Sequence, residues 1–113
     1  MLIYGVGFDG GARDPSPVQS SARLALVYAS QNVIFDHAAF HHSRGIGLEW
    51  SNASNGGVRN SEFADVGNYW QQSGRREDRL AALNWDCGDV GNKSIFANNN
   101  TITKCRPGFH FDM

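Results

Sequence analysis

The chain repeats itself, and that constrains its fold more than any other feature. Four segments share one shape: RLALVYAS (23–30), GIGLEWSN (45–52), LAALNWDC (80–87) and GFHFDM (108–113). Each carries Leu or Phe (Leu26, Leu48, Leu83, Phe111) and, two residues later, a second large apolar side chain (Tyr28, Trp50, Trp85, Met113). A second segment type alternates with the first: IYGVGF (3–8), VIFDHAAF (33–40), GVRNSEF (57–63) and FANNNTI (96–102), ending in Phe8, Phe40, Phe63 and Ile102. Leu26 to Leu48 is 22 residues and Phe40 to Phe63 is 23, whereas Leu48 to Leu83 is 35 and Phe63 to Ile102 is 39. A unit of that length containing two or three short strands, with an insertion in one copy, predicts one turn of a parallel β-solenoid. Equivalent strands would then pair edge to edge about 4.8 Å apart. A β-sandwich does not predict equivalent residues recurring across loops of such unequal length.

Composition agrees with an all-β chain. Short runs of Val, Ile, Phe, Tyr and Trp are separated by Gly, Asn and Ser clusters, and no stretch has helical periodicity. The 113 residues suffice for one small domain, and a net charge of −1 argues against a nucleic-acid partner. No apolar run approaches the roughly 20 residues of a membrane helix, and the start lacks the pattern of a signal peptide. Two cysteines, Cys87 and Cys105, are too few for a metal framework and are read as two thiols or one disulfide.

The stretch NVIFDHAAFHHSRGIGLEWSNASNGGVRNSEFADVG resembles the right-handed parallel β-helix repeat of the pectin-lyase-like superfamily. The likeness covers nearly the whole chain as a pattern. It implies about four rungs of right-handed β-helix over residues 1–113, an extracellular or periplasmic location and a polysaccharide or glycan partner. A rung cannot bury its own end faces, and this chain begins and ends inside strands without a cap. The expectation is a segment of a longer protein, flanked by rungs of its parent chain or an oligomer.

With Leu26, Leu48, Leu83 and Phe111 facing in, the two-residue period places Val27, Glu49, Asn84 and Asp112 in one outward column. Ala25, Gly47, Ala82 and His110 form the other. Glu49 and Asp112 would stand two rungs apart, about 9–10 Å between backbones, near the roughly 6.5–9.5 Å carboxyl separation of inverting glycosidases. Asn84 could hold a sugar hydroxyl between them, and His110 could serve as a second acid or base. The plain alternative for Glu49 is a solvated outer face.

Two long loops, 9–23 and 64–80, would wall this face. The second supplies Tyr69 and Trp70 for stacking on sugar rings and Arg75 for anionic groups, and Arg44 lies in an adjoining loop. His37 matches Asn60 and Asn99 in position, which suggests a column of stacked polar side chains at one corner. Asp86 and Asp89 alone make a poor Ca²⁺ site, and no cofactor is implied.

The resulting expectation is polysaccharide hydrolysis by a carboxylate pair. Two alternatives stay open: a lyase using loop arginines, and a glycan-binding solenoid without catalysis, as in tailspikes and adhesins. The polygalacturonase signatures NTD, GHG and RIK are absent, and no Lys or Arg occupies the outward columns.

Overall fold

The structure, a computed structural model, describes residues 1–11, 23–43, 45–66, 83–86, 93–105 and 109–112. Their regular structure is entirely strand. In chain order the strands are β1 (Leu2–Tyr4), β2 (Gly7–Asp9), β3 (Arg23–Tyr28), β4 (Ile34–Asp36), β5 (Ala39–Ser43) and β6 (Ile46–Ser51). They continue as β7 (Ser54–Arg59), β8 (Glu62–Val66), β9 (Leu83–Asp86), β10 (Lys93–Asn98), β11 (Thr101–Thr103) and β12 (Phe109–Asp112). Three four-stranded parallel sheets result, ordered β1-β4-β7-β10, β2-β5-β8-β11 and β3-β6-β9-β12. Each sheet therefore receives every third strand. The 22–23-residue spacing read from the sequence is one circuit through all three. No helix among the described residues is long and apolar enough to cross a membrane.

The second segment type proves to be two strands with a corner between them. That corner is made by Gly5, His37, Asn60 and Asn99, with φ of 67°, 51°, 51° and 51°. Left-handed backbone is costly for most L-residues, and Gly and Asn tolerate it best. Elsewhere Asn32, Asn52 and Asn55 adopt it too, at 60°, 53° and 55°. The abundance of Asn is thus a consequence of having many corners. The corner also binds each circuit to the next: Gly5 N donates to Asp36 O (3.0 Å), His37 N to Arg59 O (3.3 Å) and Asn60 N to Asn98 O (3.2 Å). Just inside it, Ser61 Oγ accepts from Ala38 N (3.0 Å), and Asn100 Oδ1 accepts from Ser61 N (3.0 Å). Backbone donors that the turn would leave stranded are satisfied in this way.

Between the sheets lies an aromatic core. Phe8, Phe40 and Phe63 occupy equivalent positions, as the repeat predicted, with Ile102 next in the row. The Phe8 and Phe40 rings stack at 5.0 Å and 4°, and Phe40 and Phe63 at 4.7 Å and 6°. Each such pair adds about 0.5–1.5 kcal/mol beyond its buried area. Phe35 meets Phe40 and Trp50 edge-on, at 5.7 Å and 6.1 Å, joining the three walls into one core. Close approach also demands glycine at residue 57, where a Cβ would fall 2.2 Å from the Phe96 carbonyl oxygen.

The third sheet departs from the expected register at both ends. β3 pairs with β6 so that Ala25 faces Leu48, Leu26 faces Glu49 and Val27 faces Trp50. The expected match of Leu26 with Leu48 is off by one residue, which exchanges the faces. Val27 is buried and Leu26 and Tyr28 are exposed. The cause lies in β3 itself: RLALVY is apolar on both faces, so the two-residue period cannot choose between them. Trp50 and Phe35 already fill the interior here, and Ala25 and Val27 fit the remaining space better than Leu26 and Tyr28 would. At the other end β12 pairs with β9 as Phe109 to Leu83, His110 to Asn84, Phe111 to Trp85 and Asp112 to Asp86. That is a shift of two residues from the expected match of Phe111 with Leu83, and it preserves the faces.

Candidate functional site

The corrected register rearranges the rows of equivalent positions across the third sheet. One row reads Leu26, Glu49, Asn84, His110, and the next reads Tyr28, Ser51, Asp86, Asp112. Glu49 and Asp112 therefore do not share a row. Two strand spacings across and two residues along separate their backbones by about 12 Å, outside the range that suited an inverting pair. His110 takes the place expected of Asp112 in the Glu49 row. Asn84 stands between Glu49 and His110, as its own expected place required.

Glu49 is not on a solvated face. It is 2% exposed, and every residue of β6 is buried. Its Oε2 accepts a hydrogen bond from Arg23 Nε, an ion pair between neighbouring strands of the same sheet. Burying a carboxylate is expensive unless it is both paired and hydrogen-bonded, and Arg23 supplies both. Arg44, Tyr69, Trp70 and Arg75, together with Cys87, Asp89 and most of the two long loops, lie outside the described residues.

A different place gathers polar chemistry. Across the first corner runs a solvent-open groove of about 590 Å³, lined by His37, Asn60, Asn99, Ser61, Glu62 and Thr101 among others. These side chains come from successive circuits at equivalent positions. Asn99 Nδ2 donates to Asn60 Oδ1 at 2.6 Å, and Asn60 Nδ2 donates to Asp36 Oδ1 at 3.0 Å. His37 Nδ1 lies 2.6 Å from the same Asp36 oxygen, and Arg59 Nε donates to Asp36 Oδ2 at 3.0 Å. The expected column of His37, Asn60 and Asn99 thus exists, with Asp36 as its anchor. Tyr4, 62% exposed, sets its ring 5.1 Å from that of His37 at one end of the column.

Asp36 is nearly buried, yet its carboxyl is held below the ordinary carboxylate value. The Asn60 amide contributes most, opposed by desolvation and helped by Arg59 and His37. Asp36 is therefore a fixed negative charge at neutral pH. Beyond the corner, His41 Nε2 reaches Glu62 Oε2 at 3.2 Å and His42 Nδ1 reaches Asp9 at 3.3 Å. Among the described residues no group of three or more His, Cys, Asp or Glu side chains could hold a metal ion.

Sequence reasoning missed Arg59 and Glu62 as neighbours of the column. The available signal was positional: Asp36 immediately precedes His37, as Arg59 precedes Asn60, so the corner alignment already sets them side by side. Comparison with protein-family models, curated proteins and solved structures found no match to this chain.

Proposed function

We propose that this chain is a stretch of right-handed parallel β-helix, three strands per rung, that holds polysaccharide along the groove over its first corner. Three parallel sheets that each take every third strand support the solenoid reading, and parallel crossovers are overwhelmingly right-handed. The resemblance to pectin-lyase-like repeats accords with it and with an extracellular or periplasmic setting. One observation carries the binding role: the row of His37, Asn60 and Asn99, running along a groove that also presents Glu62 and Thr101 beside the exposed ring of Tyr4. Amides, hydroxyls and a carboxylate match sugar hydroxyls, and an exposed aromatic ring matches the apolar face of a pyranose.

The test is binding to a panel of neutral and uronic-acid polysaccharides by calorimetry, beside Tyr4→Ala and Asn99→Ala. Loss of about tenfold in affinity in either variant, on the order of 1.4 kcal/mol, is expected. Unchanged affinity in both, or no polysaccharide bound at all, removes the groove as the site.

A second reading is polysaccharide cleavage on the third sheet. The row holding Glu49, Asn84 and His110 favours it, because it aligns a carboxylate position with an imidazole position. New reducing ends that disappear in Glu49→Gln and His110→Ala would establish this reading. Unsaturated products would instead place a lyase at the loop arginines, Arg44 and Arg75.

A further inference from the structure

We propose that Asp36 and His37 form a general-base dyad that hydrolyses ester groups carried by a glycan lying in the groove. The inference rests on the groove reading above and adds chemistry to it.

Three observations carry it. First, the geometry is that of an oriented imidazole: Nδ1 of His37 is 2.6 Å from a carboxylate oxygen that is itself held by Asn60 and Arg59. A charged acceptor at Nδ1 selects the tautomer that leaves Nε2 as the basic nitrogen. Second, Nε2 has no hydrogen-bond partner among the described residues, the side chain is 55% exposed, and His37 lines the groove. Third, histidine is the odd member of its row. Gly5, Asn60 and Asn99 fill the other three corner positions, and an amide there would serve the ladder equally well. The imidazole is thus not what the corner requires.

Ser61 lines the same groove, but it is buried, accepts from Ala38 N and donates to Arg59 O at 2.7 Å. It is locked in the corner and does not act as nucleophile. Water takes that part. Its oxygen attacks the ester carbonyl carbon as Nε2 removes one of its protons, giving a tetrahedral intermediate. The intermediate then breaks its bond to the sugar oxygen, which takes the proton back from Nε2. One ester and one water become one carboxylic acid and one sugar hydroxyl, and the imidazole is regenerated. Asp36 is a positioning residue: it holds the Nδ1 proton and stabilises the imidazolium formed in the first step. Arg59 Nη groups, unpartnered among the described residues, are cationic donors beside the dyad. Other ionisable groups near the dyad among the described residues are Tyr4 on β1, whose ring lies 5.1 Å from that of His37, and Glu62 on β8, which lines the groove and meets His41.

The experiment follows hydrolysis of p-nitrophenyl acetate and release of acetate from an acetylated xylan. It compares wild type with His37→Asn, and uses His41→Gln and His42→Gln as controls for other, partly exposed imidazoles. His37→Asn installs the residue found elsewhere in the row, so the corner is expected to persist, and circular dichroism checks it. A loss of about 100-fold is expected in His37→Asn, with both controls within about twofold of wild type. Long-range ¹H–¹⁵N spectra should show the Nδ1–H tautomer of His37 and its loss in Asp36→Asn. Unchanged hydrolysis in a folded His37→Asn overturns the proposal. So does a wild-type rate no greater than that of the same concentration of free imidazole. Glycan binding measured on the same samples separates the two readings. Binding without hydrolysis removes the dyad alone, whereas hydrolysis of the small ester without glycan binding removes the groove reading and keeps the base.

Discussion

The ion pair between Arg23 and Glu49 decides whether the third sheet carries a structural acid or a working one. Removing the guanidinium in Arg23→Ala leaves a carboxylate that is 2% exposed facing a void. Two unit charges 4 Å apart attract by about 4 kcal/mol at an effective dielectric near 20. The Arg23 side chain is 34% exposed, so solvent screens it, and we take about half, on the order of 2 kcal/mol. Loss of the charged donor to a buried acceptor brings the expected destabilisation to about 2–4 kcal/mol. Glu49→Gln retains an oxygen that can accept from Nε and should lose only about 1 kcal/mol. The double variant Arg23→Leu, Glu49→Leu removes both charges and should lie within about 1 kcal/mol of wild type or above it. Urea unfolding followed by tryptophan fluorescence gives all four stabilities. Adding the single variants Arg23→Leu and Glu49→Leu completes a double-mutant cycle, whose coupling should be at least about 1 kcal/mol. An Arg23→Ala variant as stable as wild type, with zero coupling, would refute the claim that Arg23 is what keeps Glu49 folded inside.

Four further outcomes are expected. Phe40→Ala, at the centre of the stacked row, should lose about 3–5 kcal/mol by denaturant unfolding, whereas Ile102→Ala, 39% exposed at the end of that row, should lose less than half as much. Gly57→Ala should lose about 1–3 kcal/mol, because the new methyl meets the Phe96 carbonyl oxygen, and a neutral result would mean the two strands separate freely. Because the folded carboxyl of Asp36 lies below its ordinary 3.8, its stabilisation is full above that value and is lost as pH falls through the lower folded value. In Asn60→Ala this acid loss should begin at higher pH, read from unfolding curves between pH 5 and pH 2. Burial raises the Cys105 thiol above its ordinary 9.0. The folded chain then holds that proton when the unfolded chain has released it, so stability should decline as pH rises past 9.0, and alkylation of Cys105 at pH 7 should be slower than for a free thiol.

The parallel strands and their row of Phe8, Phe40, Phe63 and Ile102 were legible because equivalent positions there carry similar residues. The corner column was legible too, since His37, Asn60 and Asn99 carry polar side chains at equivalent positions of the repeat, each with left-handed backbone. The third sheet was read less well. Its four segments look alike, yet β3 is apolar on both faces and β12 offers Phe109 and Phe111 as equal matches for Leu83. Where two registers satisfy the same apolar pattern, the pattern holds no information about which one forms.

Sequence by itself therefore determined the repeat length, the all-strand character, the aromatic row and the identity of the corner residues. These depend on local backbone preference and side-chain periodicity. Only tertiary structure decided that Val27 rather than Leu26 fills the space beside Trp50, that Glu49 is buried against Arg23, and that Asp36 ties His37, Asn60 and Arg59 together beside a groove. Those outcomes depend on the volume left between sheets and on which charges from neighbouring circuits meet. Both are set by residues some twenty or more positions away in the chain.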